Sequence, residues 1–250
     1  MNIFDINKFK KSLKTDYIGR NTIFLKKIDS TNNCATFLEK KTVLPKEIST
    51  KSKSKEYQFK KISKDLPEKT KQKNKLTDKL NGTVIISEIQ THGRGRFNRI
   101  WLSPAGGLWF TIILTPFLKE KDFPKTTLIT AISIAEILRN DYNIQVHIKW
   151  PNDIYYKKSK LCGILTEIEK VEESIFLNIG VGLNVNLNKD DLKLYKDRAT
   201  SIKSIIGKEV EVEILLSKIL YNFEKHYEYY VHTMDFKTIF NKMENFFTYE

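Results

Sequence analysis

The sequence predicts an α+β fold in one well-cored domain. Apolar runs of strand character and apolar runs of helical period come in unequal blocks, whereas a doubly wound sheet would alternate them strictly. At 250 residues and 40% hydrophobic content the chain can also bury one sizeable core, and no internal repeat is visible.

Thr22–Ile28 reads as the first strand, and Asp29, Ser30 and Thr31 supply capping side chains for a helix over residues 32–39. Residues 83–88 are a β-rich apolar run ending at an arginine-bearing loop, and residues 107–115 form another strand. Asp122 and Pro124 mark a helix start. Leu128, Ile132, Ala135 and Leu138 carry its period to about Arg139. Three strand-like runs follow at residues 145–150, 162–167 and 175–185, the first two separated by Pro151, Asn152, Asp153 and a lysine turn. From Arg198 the chain is mostly helical, with Val212, Leu216, Ile219, Phe223 and Tyr227 on one face.

The net charge of +13 is unevenly spread. Residues 41–80 hold 13 lysines against 5 acidic residues, so +8 belongs to this stretch and only +5 to the rest. With few aromatics and no sustained period, it reads as a mobile surface insertion; a basic arm for nucleic acid or an acidic partner is the rival reading. No apolar run is long enough to span a membrane, and residues 1–20 lack a signal-peptide stretch, which predicts a cytoplasmic, soluble protein. The two cysteines, Cys34 and Cys162, have no metal-type spacing, and Cys162 reads as a small buried residue.

Seven of the ten glycines fall in three short segments at the ends of apolar runs, so glycine here is positional. Gly93 and Gly95 space Arg94, Arg96 and Arg99 in a loop suited to closing over a phosphate, with backbone N–H groups and forked guanidinium donors. In Lys149-Trp150-Pro151-Asn152-Asp153 the proline ends a strand, and Lys149 would deliver an ammonium to charge developing on a phosphoryl or carboxylate oxygen. In Lys160-Leu161-Cys162-Gly163-Ile164-Leu165-Thr166-Glu167, Gly163 removes a side chain either for close approach of a ligand or for a β-bulge. Gly180-Val181-Gly182-Leu183-Asn184-Val185-Asn186 joins two glycines to two amides able to pair with a heterocycle edge.

These four groups in this order, with Asp29-Ser30-Thr31-Asn32 upstream, closely resemble the catalytic domain of biotin protein ligases, from about Thr22 to Ser204 and broken by the insertion. The resemblance implies a mixed, mainly antiparallel sheet with helices on one face. It implies that biotin and ATP, with Mg²⁺ carried mainly on the ATP phosphates, form biotinyl-5′-adenylate, and that biotin then passes to a lysine of a biotin carboxyl carrier domain. Two anions must meet in that first step, so charge neutralisation and positioning dominate.

Residue by residue, the resemblance places Ser30, Thr31 and Gln90 near the ureido ring of biotin, with Gly93, Arg94 and Gly163 along the rest of that substrate. Arg94, Arg96, Arg99, Trp101, Asn152 and Asn184 fall on the adenylate, and Arg96 and Lys149 are expected to be the catalytic pair. The family's repressor members carry an N-terminal winged helix-turn-helix, but only about twenty residues precede the first matching strand, so specific DNA binding is not expected. The usual C-terminal small β-barrel is also expected to be absent: residues 236–247 resemble the helix before it, and residues 205–250 read as a helical segment. Dimerisation through a sheet edge, and strand pairing by the carrier at that edge, are further implications. A lipoate ligase shares the fold and the adenylating chemistry, but its arginine-rich motif followed by three glycines is not found.

Overall fold

The structure, a computed structural model, describes residues 4–44, 78–193, 199–242 and 244–248. Most of the lysine-rich stretch, and Arg198, lie outside the described residues. Eight strands form one sheet: β1 (Thr22–Ile28), β2 (Thr83–Gln90), β3 (Leu108–Leu114), β4 (Val146–Lys149), β5 (Asp153–Tyr156), β6 (Ser159–Val171), β7 (Ser174–Leu183) and β8 (Phe247–Thr248). Their order is β1-β2-β3-β7-β6-β5-β4-β8. The pairs β1–β2 and β4–β8 are parallel and the remainder antiparallel, the mixed and mainly antiparallel α+β sheet read from the sequence.

Around the sheet lie α1 (Ile6–Ser12), α2 (Thr31–Val43), α3 (Phe123–Tyr142), α4 (Lys189–Lys193), α5 (Ile202–Ile206), α6 (Val212–Thr233) and α7 (Phe236–Lys242). Strand alternation sends Val84, Ile86, Phe110, Ile112, Leu177 and Ile179 to one face, where α3 and α6 close the main core. The intervening Ile85, Ile113 and Phe176 point the other way and pack on Cys34, Ala35 and Leu38 of α2. Helices on one face therefore describes α3 and α6 but not α2. The parallel neighbours β1 and β2 require a crossover, and α2 supplies it on the opposite face. The sequence carries a trace of this. Apart from Thr111, β3 is apolar on both faces instead of alternating, as two-sided burial demands.

The expected cap of α2 takes a different form. Ser30 occupies the N-cap in extended geometry, but its hydroxyl makes no capping bond. Thr31 N–H donates instead to Gln90 Oε1 at 2.8 Å, and Asn33 Nδ2 to Asp29 Oδ2 at 2.8 Å. The first turn of this helix is thus tied to the end of β2. At the other end of the molecule, the Glu224 carboxylate on α6 accepts the backbone N–H groups of Asp16, Tyr17 and Ile18 and anchors the segment before β1.

Both cysteines are free and buried, and burial pushes both thiols above their ordinary range. A more consequential buried group is Glu39 on α2. Its Oε2 accepts from Asn178 Nδ2 at 3.2 Å, while Glu39 Oε1 and Asn178 Oδ1, both buried, have no hydrogen-bond partner among the described residues. One proton on Glu39 would satisfy both acceptors, and burial pushes the carboxyl up to about 8. A raised carboxyl binds its proton more tightly when folded. Its contribution to stability is complete below the ordinary value of 4.5 and is lost as pH rises through about 8. Glu39→Gln supplies a permanent N–H in place of that proton. Thermal unfolding should show the variant to be more stable than the wild type at about pH 9, with the gap closing toward about pH 5. Parallel pH profiles for the two proteins would show that Glu39 holds no such proton.

Candidate active site

On the α2 face, the central strands present a floor without side chains. Gly163 of β6 pairs with Gly182 of β7, and Gly180 lies two residues before Gly182 on the same face. The indole of Trp101 rests on this floor: a Cβ would stand 2.9 Å from Trp101 Cζ3 at Gly163 and 2.4 Å from Nε1 at Gly182. At Gly180 the space is taken by Asn32 of α2, whose Oδ1 would be 2.3 Å from a Cβ. Lys160 Nζ stands over the indole, 5.1 Å from the ring centroid.

The arginine loop folds back on itself above this floor. Gln90 bridges to Ser103 and Arg94 to Ile100, and Trp101 N–H donates to Gly93 O at 2.9 Å. Phe97 and Asn98 at its tip both have left-handed backbones, with φ of 57° and 55°. For a bulky residue such as Phe97 that conformation is strained. Its ring is 79% exposed and flanked by Arg96 and Arg99. Arg96 Nη1 donates to Asn152 Oδ1 at 3.1 Å; Arg94 Nη2 donates to Asn33 Oδ1 at 2.8 Å and to Glu167 Oε2 at 3.1 Å.

A cleft of about 480 Å³ lies between loop, floor and α2. Ser30, Thr31, Gln90, Arg94, Arg96, Arg99, Trp101, Asn152, Gly163 and Asn184 all line it, so the structure brings ten of the residues singled out by sequence into one place. Gly93 is not in the wall. A Cβ there would lie 2.3 Å from the Trp101 carbonyl, so its bare backbone serves loop closure. Lys149 is also outside the wall. It sits on the site's face of the sheet, paired with Asp153, but is exposed, with Nζ 5.9 Å from the Tyr155 ring centroid.

The lysine in the cleft is Lys160, to which the sequence reading gave no role. Strict alternation places Lys160 and Gly163, three residues apart, on opposite faces. The register slips at Leu161, so that Ile154 pairs with Cys162 but Tyr155 with Lys160, and this bulge returns Lys160 to the site's face. Its ammonium contacts Asp153 Oδ2 at 2.7 Å. Three arginines and this lysine face a single lining carboxylate, so the cleft favours anions.

Two further features suit a ligand with polar edges. Gln90 Oε1 accepts from Thr31, its Nε2 donates to Ser103 Oγ at 2.9 Å, and Thr111 Oγ1 lies 2.8 Å from Thr31 Oγ1. These groups make a pre-ordered donor and acceptor set. Asn184 spends its Nδ2 on Thr200 O at 2.9 Å, and its buried Oδ1 has no partner among the described residues. An acceptor left in that state at a cleft wall is suited to an amino group of a bound molecule.

A family model described as Biotin/lipoate A/B protein ligase family matches residues 61–186, a span that holds the arginine loop, Trp101, Asn152, Lys160 and all three floor glycines with Asn184. The chain belongs to this family. The bifunctional ligase/repressor BirA of Bacillus spizizenii is 38% identical over 153 residues, 60% of this chain and 47% of the relative. The chain thus spans about half the length of the Bacillus relatives that it matches. Among solved structures, the biotin protein ligase from Aquifex aeolicus in complex with biotin and ATP aligns at a TM-score of 0.65 and 27% identity, covering 92% of this chain and 79% of that one. The biotin protein ligase from Leishmania major in complex with biotinyl-5-AMP aligns at a TM-score of 0.60 and 21% identity, over 92% of this chain and 82% of that one, a likeness of fold.

As a member of the biotin/lipoate ligase family, the chain has its α+β sheet in common with these neighbours.

Proposed function

We propose that the chain is an ATP-dependent biotin protein ligase that forms biotinyl-5′-AMP and transfers biotin to a lysine of a biotin carboxyl carrier domain. The observation that carries this reading is the cleft itself: three arginines and Lys160 converge beside a glycine-and-tryptophan floor and a pre-ordered polar pocket. The names of the relatives support biotin over lipoate, since the Aquifex neighbour holds biotin and ATP.

In the first step a biotin carboxylate oxygen attacks the α-phosphorus of ATP, the bond to the β-phosphate oxygen breaks, and pyrophosphate leaves. Both partners are anions, so the barrier falls chiefly through charge neutralisation and alignment. Lys160 takes the role expected of Lys149, holding the carboxylate and α-phosphate oxygens together, with Arg94 and Arg96 on either side. Ser30, Thr31 and Gln90 receive the ureido head, Gly163 gives the tail room beside Trp101, and Asn184 Oδ1 accepts from the adenine amino group. Arg99 and Asn152 complete the nucleotide side, Asn152 by orienting Arg96. In the second step the carrier lysine amine attacks the acyl carbon, and AMP departs with the bridging oxygen.

Mg²⁺ fits this site as a passenger on ATP. Asp153 is the carboxylate in the wall, and one carboxylate with phosphate oxygens is a usual Mg²⁺ environment. When bound, the ion would neutralise phosphate charge. No helix among the described residues is long and apolar enough to cross a membrane, and we place the activity in the cytoplasm. The carrier, or a second copy of the chain, is assigned to the edge of β1 that has no partner strand among the described residues.

Incubation with ATP, Mg²⁺ and a biotin carboxyl carrier domain should add one biotinyl group to one carrier lysine, read by intact mass and peptide mapping. Modification by lipoate in place of biotin would reassign the substrate within the family.

A further inference from the structure

Arg94 and Arg96 leave the same loop, yet their guanidinium groups are held differently. Both side chains are exposed, and among the described residues the Arg96 guanidinium makes one hydrogen bond, to Asn152. Arg94 reaches two separate elements through a single nitrogen: its Nη2 donates to Asn33 of α2 and to Glu167 of β6. Glu167 Oε2 also accepts from Asn32 Nδ2 at 2.7 Å. Asn32 is itself fixed, with Oδ1 2.6 Å from Thr111 Oγ1 and its amide laid against the bare backbone of Gly180. One carboxylate oxygen thus joins the sheet, the first turn of α2 and the loop.

Both bonds use Nη2, so among the described residues Nε and Nη1 of Arg94 keep their donors for the cleft. Two acceptors on one nitrogen set the plane of the guanidinium and leave its Nε–H and Nη1–H groups in fixed directions, and a donor ordered before the ligand arrives need not be ordered by it. We propose that Glu167 is a positioning residue that aims Arg94 at the anionic substrate. The inference rests on the adenylating reading of the cleft. Glu167 also offsets part of the Arg94 charge, so its benefit is geometric and belongs to binding.

Glu167→Gln keeps an acceptor for Asn32 and removes the ionic hold on Arg94. In acid-dependent ATP–pyrophosphate exchange, this variant should raise KM for the acid roughly tenfold, the scale of one charge-assisted hydrogen bond, with kcat within about twofold. In an Arg94→Ala background the same change should have no further effect, because Glu167 then has nothing to aim. Equal losses in both backgrounds would overturn the proposal. If the wild-type protein exchanges with neither biotin nor lipoate, the functional reading fails and tryptic cleavage after Arg96 and Arg99 decides the positioning role. Faster cleavage in Glu167→Gln than in wild type would support it, and equal rates would overturn it.

Discussion

Lys160→Ala should reduce biotin-dependent adenylate formation by roughly 10²- to 10³-fold, the usual cost of deleting one preorganised donor to developing charge. Lys160 is the lysine of the cleft wall, its side chain about one-fifth exposed, and its ammonium is fixed by Asp153 and the face of Trp101. Lys149 offers a direct comparison. It lies on the same sheet face but outside the cleft, so Lys149→Ala should cost less than about tenfold. Steady-state kinetics of both variants, with circular dichroism to verify the fold, separate the two lysines. The reverse ranking would return the catalytic role to Lys149 and mean that its exposed side chain swings inward when substrate binds.

Gly182→Ala should be nearly as damaging, through a different route. The added methyl would stand 2.4 Å from Trp101 Nε1 and 2.6 Å from Cε2, and a rigid indole cannot yield locally. Trp101 must lift, and with it the loop strand that bonds Gly93 and carries the arginines. Displacement of reacting groups by about 1 Å commonly costs roughly 10²-fold, and that is the expected loss in kcat/KM. Gly163→Ala makes a looser contact, 2.9 Å at its nearest and 3.3 Å next, so its loss should be smaller. Equal and mild effects of the two alanines would mean that Trp101 is not seated on the glycine floor.

Much of this arrangement is legible in the sequence because it depends on short-range signals. Gly95, Gly163, Gly180 and Gly182, the three arginines of the loop and the amide residues Asn152 and Asn184 all line the cleft. The long helices α3 and α6 follow from period alone: Leu128, Ile132, Ala135 and Leu138, with Leu216, Ile219, Phe223 and Tyr227, are all buried. What escapes the sequence depends on pairing. The four residues of β5 and the two of β8 are too short to show a period and exist as strands because β4 accepts them. α1 is similarly short, and its N-cap Asp5 is its local signal in the sequence.

Two residues stand differently toward the cleft than their sequence motifs suggest. The face on which Lys160 lies is set by a single unpaired residue, Leu161, and a bulge leaves no mark in hydrophobic alternation. At Gly93 a bare backbone in a loop reads the same in sequence whether a substrate or a neighbouring carbonyl approaches it, and here the Trp101 carbonyl does. The position of α2 was, by contrast, recoverable. A β3 that is apolar on both sides of a single threonine, Thr111, calls for a layer on each side of the sheet.

The central claim is that this cleft activates biotin with ATP, and ATP–pyrophosphate exchange run in parallel with biotin and with lipoate tests it most directly. The account predicts exchange that depends on biotin, is weak or absent with lipoate, and is lost in Lys160→Ala. Exchange with lipoate in place of biotin, or none with either acid under conditions where the chain is folded, would contradict it.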